Sequence, residues 1–281
     1  MAAEFGRIAR TPGRACAKIN LTLHVRGRRA DGYHDLESLV AFAGIGDALS
    51  FTPLPAHGYA LRIEGADHLS ADDDNLVLRA ARFIAPEGGG TFRLIKNLPV
   101  ASGIGGGSAD AAAALRLVAG ARVRTIQSEA IGADVPVCVA SQARMMRGVG
   151  ADLGPVLNVP PLYAVLVNPR LSVSTADVFR ALGLKAGETH EAPPHPAMAS
   201  DVFAMLEQAR NDLERPAIAV APVIADVLTV LRNQKGVRLA RMSGSGATCF
   251  GLFANRYDAV KASRALRMAH PTWWVHATII R

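Results

Sequence analysis

The chain has 281 residues, half of them hydrophobic, enough to bury a substantial core and to build two domains without disulfide staples. A formal charge of +7 and a pI near 9.8 favour acidic partners, while 5% aromatic content without aromatic-basic interleaving argues against an RNA-stacking platform. Cys16, Cys138 and Cys249 form no C-x-x-C pair and the eight histidines no H-x-x-x-H cluster, which sets aside a disulfide framework and a zinc site and suits a reducing cytoplasm.

Residues 1–10 carry charge but no apolar signal-like run, and no later stretch reaches the length of a membrane span, so neither export nor a membrane is expected. From Cys16 to Val25 polarity alternates strictly, with Ile19, Leu21, Leu23 and Val25 on one face and Lys18, Asn20, Thr22 and His24 on the other. That period predicts a half-buried strand whose polar face is ordinarily solvated. Asp31-Gly32 marks a turn, and a strand resumes over Leu36 to Phe42. Tyr33 and His34 set a planar ring beside a hydrogen-bonding edge, which suits a heterocyclic base, although a tyrosine next to a turn more often packs on the surface. Shorter strands are predicted near Ala48 to Thr52 and Tyr59 to Ile63. Asp72-Asp73-Asp74 then precedes Asn75 and a helical pattern in Leu76, Ala80, Phe83 and Ile84, where the acids fit the helix dipole better than they fit a metal site.

A strand at Thr91 to Ile95 delivers the chain to Lys96 and then to Pro99-Val100-Ala101-Ser102-Gly103-Ile104-Gly105-Gly106-Gly107-Ser108-Ala109. Closely spaced glycines let the backbone approach a ligand, and the alanine-rich run behind them favours a helix, here expected to be capped by Ser108 and to end near Gly120. A loop ending on a helix N-terminus is an anion site, so a nucleotide phosphate is the natural guest. No lysine separates Gly107 from Ser108, which excludes a Walker A loop, and Ser108 stands where a dinucleotide fingerprint needs its last glycine. Farther on, Asp134 lies between small residues and an apolar run, where a buried carboxylate serves either as a structural cap or in catalysis.

Pro160-Pro161 suggests a boundary between domains at 1–158 and 159–281. Beyond it the pattern predicts a strand at Leu162 to Val167, a helix near Thr175 to Leu182, a Pro/Gly-rich loop from Gly183 to Pro196, a short helix at Asp201 to Ala209 and a long one from Pro216 to Asn233. Strands at Val237 to Arg241 and Thr248 to Phe253, a helix at Asp258 to Met268 and a strand at Trp273 to Ile280 complete a β-α-β-β-α-β, ferredoxin-like order. Ser243-Gly244-Ser245-Gly246-Ala247 joins the middle strands, either as a plain hairpin or as a second wall of the phosphate cleft.

Taken together, Ala17-Lys18-Ile19-Asn20-Leu21, Asp31-Gly32-Tyr33-His34-Asp35-Leu36, the Pro99 to Ala109 loop and Gly132-Ala133-Asp134-Val135-Pro136 resemble the GHMP kinase superfamily. The Gly-Tyr-His element resembles the branch that phosphorylates 4-diphosphocytidyl-2-C-methyl-D-erythritol. Asn211-Asp212-Leu213-Glu214 and the Ser243 to Ala247 loop fit the same family, so the likeness runs through nearly the whole chain. It implies an α+β, two-domain GHMP kinase fold with an N-terminal ribosomal-protein-like domain and a C-terminal ferredoxin-like domain. It further implies transfer of the ATP γ-phosphate to a hydroxyl of a small cytidine diphosphate substrate, with Mg²⁺, and no nucleic-acid or membrane partner. By the same resemblance Asp134 is the general base and Lys18 its partner; Asn20, Tyr33, His34 and Phe179 take the substrate. Asn75 and Lys96 lie near the adenine, and Ser108 is a candidate magnesium ligand. The segment Gly120 to Ile131 is shorter than usual in the family, which predicts a truncated or missing helix. An RNA-binding relative and a catalytically inactive binder of the same ligands are the alternatives.

Overall fold

The computed structural model describes residues 13–55, 57–66, 69–125, 127–190, 195–196 and 201–281. The reading of residues 1–10, and residues 191–194 of the Gly183 to Pro196 loop, lie outside them. The first half runs β1 (Arg14–Asn20), β2 (His24–Arg28), β3 (His34–Pro53), β4 (Gly58–Glu64), α1 (Leu76–Ile84), β5 (Gly89–Ile95), α2 (Gly106–Ala119), α3 (Val135–Ala140), β6 (Arg144–Gly148) and β7 (Asp152–Val156). Two 3₁₀ turns, Gly120–Thr125 and Ser128–Ala130, fill the shortened segment between α2 and α3 where a helix was in question.

β3 is the spine of this half. It is one strand of 20 residues where the pattern predicted two, pairing with β2 and β6 along its first part and with β1 and β5 along its second. β1 crosses it so closely that a side chain on Gly46 would begin 2.2 Å from the Ala15 carbonyl oxygen, which is why the spine carries glycine there. The strand predicted from Cys16 to Val25 is interrupted after Asn20, because Leu21 N and Thr22 N both turn to the Leu39 carbonyl. Nor is its polar face solvated: Lys18, Asn20, Thr22 and His24 are all buried, Lys18 and Asn20 lining the cleft between the two halves while Thr22 and His24 lie against His195. α2 packs against α1, α3, β1 and β3, and its buried alanines permit that close approach on several sides.

The second half runs β8 (Leu162–Asn168), α4 (Thr175–Leu182), α5 (Val202–Gln208), α6 (Glu214–Val220), α7 (Val223–Arg232), β9 (Val237–Met242), β10 (Cys249–Phe253), α8 (Arg256–Ala269) and β11 (Trp274–Ile280). Its sheet order β11-β8-β10-β9, antiparallel throughout, is the ferredoxin-like arrangement expected from the sequence. The single helix predicted over Pro216 to Asn233 is instead α6 and α7, broken at Ala221–Pro222, because proline has no N–H to donate and forces the residue before it out of helical geometry.

Pro160-Pro161 lies in the coil between β7 and β8. The sheet nevertheless continues from one half to the other: Ile280 pairs with Ala43, and Phe42 and Arg281 exchange backbone bonds of 2.8 and 3.0 Å. One buried cluster spans this seam, with Ile19, Leu21 and Leu39 from the first half meeting Leu162, Leu166, Phe250, Trp274 and Ile280 from the second. No helix among the described residues is long and apolar enough to cross a membrane.

Candidate active site

Between the halves opens a cleft of about 740 Å³, with the glycine loop along one wall. Pro99 to Gly103 and Gly105 to Ser108 line it, while Ile104 and Ala109 point into the core beneath. Gly103 and Gly105 hold φ of 73° and 64°, a left-handed region that disfavours side chains, and the Ile104 carbonyl between them accepts a 2.9 Å bond from Lys18 N. The loop is thus pinned to β1. Ser108 is not the helix cap. α2 starts three residues earlier than that cap would give, with Gly105 at its N-cap and no side-chain cap bond, leaving the first-turn N–H groups for an anion.

The same strand delivers Lys18. Its Nζ lies 2.6 Å from Asp134 Oδ2, with the lysine side chain 6% and the aspartate side chain 31% exposed. Asp134 occupies the N-cap position of α3 but makes no side-chain cap bond, which removes the capping alternative and leaves its carboxylate turned to Lys18. The β1–β3 register shifts by two residues between Cys16 and Lys18, the extra residues lying on β3. Nearby Cys138 is no nucleophile, since burial first and the Asp134 charge second push its thiol up to about 12.

Lys96 also lines the cleft, but not as a free cation. It is held between Asp47 and Asp110, the latter at 2.8 Å, with all three side chains almost wholly buried. Burial alone would lower its pKa; the two carboxylates outweigh burial and raise it. Asp110 is raised to about 7, by burial first. The other Asp47 oxygen accepts from Asn97 N and Leu98 N at 2.6 and 2.8 Å, so this cluster fastens the end of β5 to the start of the glycine loop. Asn75 lines the cleft while capping α1, accepting from Val77 N at 3.0 Å. The acids before it lie outside the first turn of α1: Asp73 pairs with Arg82 at 2.6 Å, and Asp72 and Asp74 face the outer cleft. Among the described residues no group of three His, Cys, Asp or Glu could hold a metal ion.

The second glycine loop shares the cleft through Gly244 and Ser245, and it braces the first. Ser243 Oγ donates to the Gly103 carbonyl at 3.1 Å, Thr248 N donates to the Ser102 carbonyl at 3.2 Å, and Asn20 N donates to Ser243 Oγ at 3.1 Å. Asn211 explains its own motif by donating from Nδ2 to the Met242 and Gly244 carbonyls at 2.8 and 2.9 Å, while Glu214 accepts from Met242 N. At the far end of the cleft His34 and Phe179 stack with ring centroids 4.4 Å apart. Burial, then the Arg28 charge, lowers the His34 pKa and keeps the ring neutral. Of this pair only Phe179 lines the cleft, and Tyr33 is not brought there: it stands 66% exposed beside its turn. Sequence reasoning missed Asp47, Asp110 and Ser38; an aspartate inside an alanine run was the one available signal, for Asp110.

Family models agree with this geometry. "GHMP kinases N terminal domain" matches residues 75–142 and "GHMP kinases C terminal" residues 200–271, so the fold and the paired glycine loops define a GHMP kinase. The 4-diphosphocytidyl-2-C-methyl-D-erythritol kinase of Methylobacterium radiotolerans is 55% identical over 95% of this chain and 98% of its own length. That of a Bradyrhizobium species is 51% identical over 93% and 94%. A crystal structure of 4-(cytidine 5'-diphospho)-2C-methyl-D-erythritol kinase superposes with a TM-score of 0.74 at 34% identity, covering 95% of this chain and 98% of that one. Homoserine kinase from Cytophaga hutchinsonii, at 17% identity and a TM-score of 0.65, shares the fold. The chain belongs to the 4-diphosphocytidyl-2-C-methyl-D-erythritol kinase family of the GHMP kinases and is a phosphotransferase.

Proposed function

We propose that this chain transfers the γ-phosphate of ATP to the 2-hydroxyl of 4-diphosphocytidyl-2-C-methyl-D-erythritol, a step of non-mevalonate isoprenoid precursor synthesis, with Asp134 as general base and Lys18 as its partner. The observation that carries the assignment of roles is the 2.6 Å Lys18–Asp134 contact beside the glycine loop, in the same cleft as Phe179, on which His34 stacks from behind the lining. Phosphoryl transfer needs in-line positioning, charge neutralisation and a proton acceptor rather than a covalent intermediate. Asp134 takes the hydroxyl proton as the oxygen attacks. Lys18 holds that carboxylate at 2.6 Å and, lying against Gly105, offsets charge on the transferring phosphoryl group.

The N–H groups of Gly106, Gly107 and Ser108 hold the ATP phosphates, and Asn75 and Lys96 border the adenine. Asn20, His34 and Phe179 hold the cytidine substrate, with Tyr33, next to His34 in the chain, the further candidate for the base. Ser108, which lines the cleft in the first turn of α2, would offer its Oγ to a magnesium ion accompanying ATP, and such an ion would supply charge neutralisation at the phosphates. The family-model matches fall on either side of 158/159, which supports domains at 1–158 and 159–281. Three buried free thiols support a reducing, cytoplasmic setting. An assay of ATP consumption with the cytidine substrate beside mevalonate and homoserine tests the reading: turnover confined to the cytidine compound is expected, and equal turnover of another alcohol would overturn it.

A further inference from the structure

Asn20 is 3% exposed and lines the cleft, yet among the described residues its Oδ1 has no hydrogen-bond partner. A buried polar atom without a partner needs a reason. Oxygen and nitrogen of a side-chain amide have the same shape, so its orientation follows from its neighbours. Here Ser38 decides it. Ser38 Oγ lies 2.5 Å from the Thr22 carbonyl oxygen, which can only accept, so the single hydroxyl hydrogen of Ser38 is committed there. Toward Asn20, 2.8 Å away, Ser38 can then only accept, and the atom facing it is Nδ2. The opposite orientation would set oxygen lone pairs against each other.

Thr22 is fixed in its turn. Its Oγ1 accepts from Leu39 N at 2.8 Å and meets His195 Nε2 at 2.7 Å. His195 Nδ1 lies 2.7 Å from the Pro196 carbonyl and must carry the ring hydrogen, so Nε2 accepts and Thr22 donates. With the Ser38 and Thr22 hydroxyl hydrogens placed, Nδ2 gives one hydrogen to Ser38, and the acceptor left over among the described residues is Asn20 Oδ1. It sits where the two glycine loops meet, 3.4 Å from the point at which a side chain on Gly244 would begin. We propose that Ser38 is a positioning residue for phosphoryl transfer: it fixes the Asn20 amide so that the oxygen, not the NH₂, faces the cleft, and so selects a substrate hydroxyl that donates there.

The proposal rests on the cytidine-substrate reading above, and the test separates the two. Kinetics and calorimetric affinity for the cytidine substrate are measured for wild type, Ser38→Ala, Asn20→Asp and the double variant. Ser38→Ala frees the amide to rotate, and we expect about a ten-fold loss of kcat/KM for the cytidine substrate with KM for ATP changed by less than about two-fold. A carboxylate presents oxygen in either orientation. With Asn20→Asp in place, Ser38→Ala is therefore expected to change substrate affinity by less than about two-fold, and Ser38→Thr alone to retain activity within about three-fold. Equal losses from Ser38→Ala with and without Asn20→Asp would overturn the proposal, since a packing role does not depend on which atom the amide presents. If Ser38→Ala does not fold, Ser38→Cys replaces it in the same cycle with the same criteria. Wild-type protein inert toward the cytidine substrate would overturn the functional reading instead.

Discussion

Lys18 joins two pieces of machinery through one residue, its backbone N–H bonding the glycine loop at 2.9 Å and its ammonium bonding Asp134 at 2.6 Å. Asp134→Asn is expected to lower kcat by about 10² to 10⁴-fold with ATP affinity nearly unchanged, and Lys18→Met to act in the same direction. The double variant should lose much less than the product of the single losses, because groups acting as a unit are non-additive; multiplicative losses in steady-state assays would show two independent roles. Gly105→Val should weaken ATP binding measured by calorimetry and also lower kcat, since any side chain there starts 3.2 Å from Lys18 Cβ on a backbone at φ 64°. An unchanged kcat would mean that Lys18 has room to yield. The direction in which Lys18 points was legible from alternation, but its surroundings were not, because a period of two does not distinguish a cleft from water. Nor does sequence reveal that Lys96 is bound up with carboxylates 49 and 14 positions away.

Between β9 and β10 the second glycine loop owes its shape to Asn211, which from the stretch before α6 holds the carbonyls of Met242 at the end of β9 and of Gly244 in the loop. Asn211→Ala leaves both unsatisfied and should lower the melting temperature and raise KM for ATP several-fold, the effect reaching the phosphates through Ser243 and Gly103. A melting shift without any change in KM would confine Asn211 to stability. Another cross-link, His195 to Thr22, ties the stretch before α5 to the gap between β1 and β2. Burial lowers the His195 pKa below its ordinary value of about 6.5, so the unfolded chain binds more protons than the folded one. Its contribution to stability is complete above that value and is lost as pH falls through the folded pKa. His195→Gln should flatten the decline of the melting temperature between about pH 7 and pH 5, and an unaltered slope would exclude this linkage. Periodicity found most of the elements because their buried faces repeat. It missed the interruption at Pro222 within an otherwise continuous apolar pattern, and the continuity of β3, which depends on the neighbouring β1 passing over glycine.

At the scale of the whole molecule, the proline pair between β7 and β8 reads as a boundary, and the glycine loops, the ferredoxin-like order and the family's motifs are all legible in the sequence. The seam was not. It depends on Phe42 meeting Arg281 and Ala43 meeting Ile280, contacts between residues far apart in the chain with no local signal. Because one buried cluster crosses that seam, thermal unfolding should be a single transition with equal calorimetric and van't Hoff enthalpies, and residues 1–158 expressed alone should not give a soluble folded unit. Two resolved transitions would show that the halves are independent. The sheet order β4-β5-β3-β11-β8-β10-β9 puts β11, last of these strands in the chain, between the two halves. A ribosome therefore releases the strand that closes the sheet after all the others. Until it emerges, the β3 edge and the apolar residues behind it wait uncovered, so the nascent chain needs shelter while the strands before β11 are made, and losing β11 removes the keystone of the sheet.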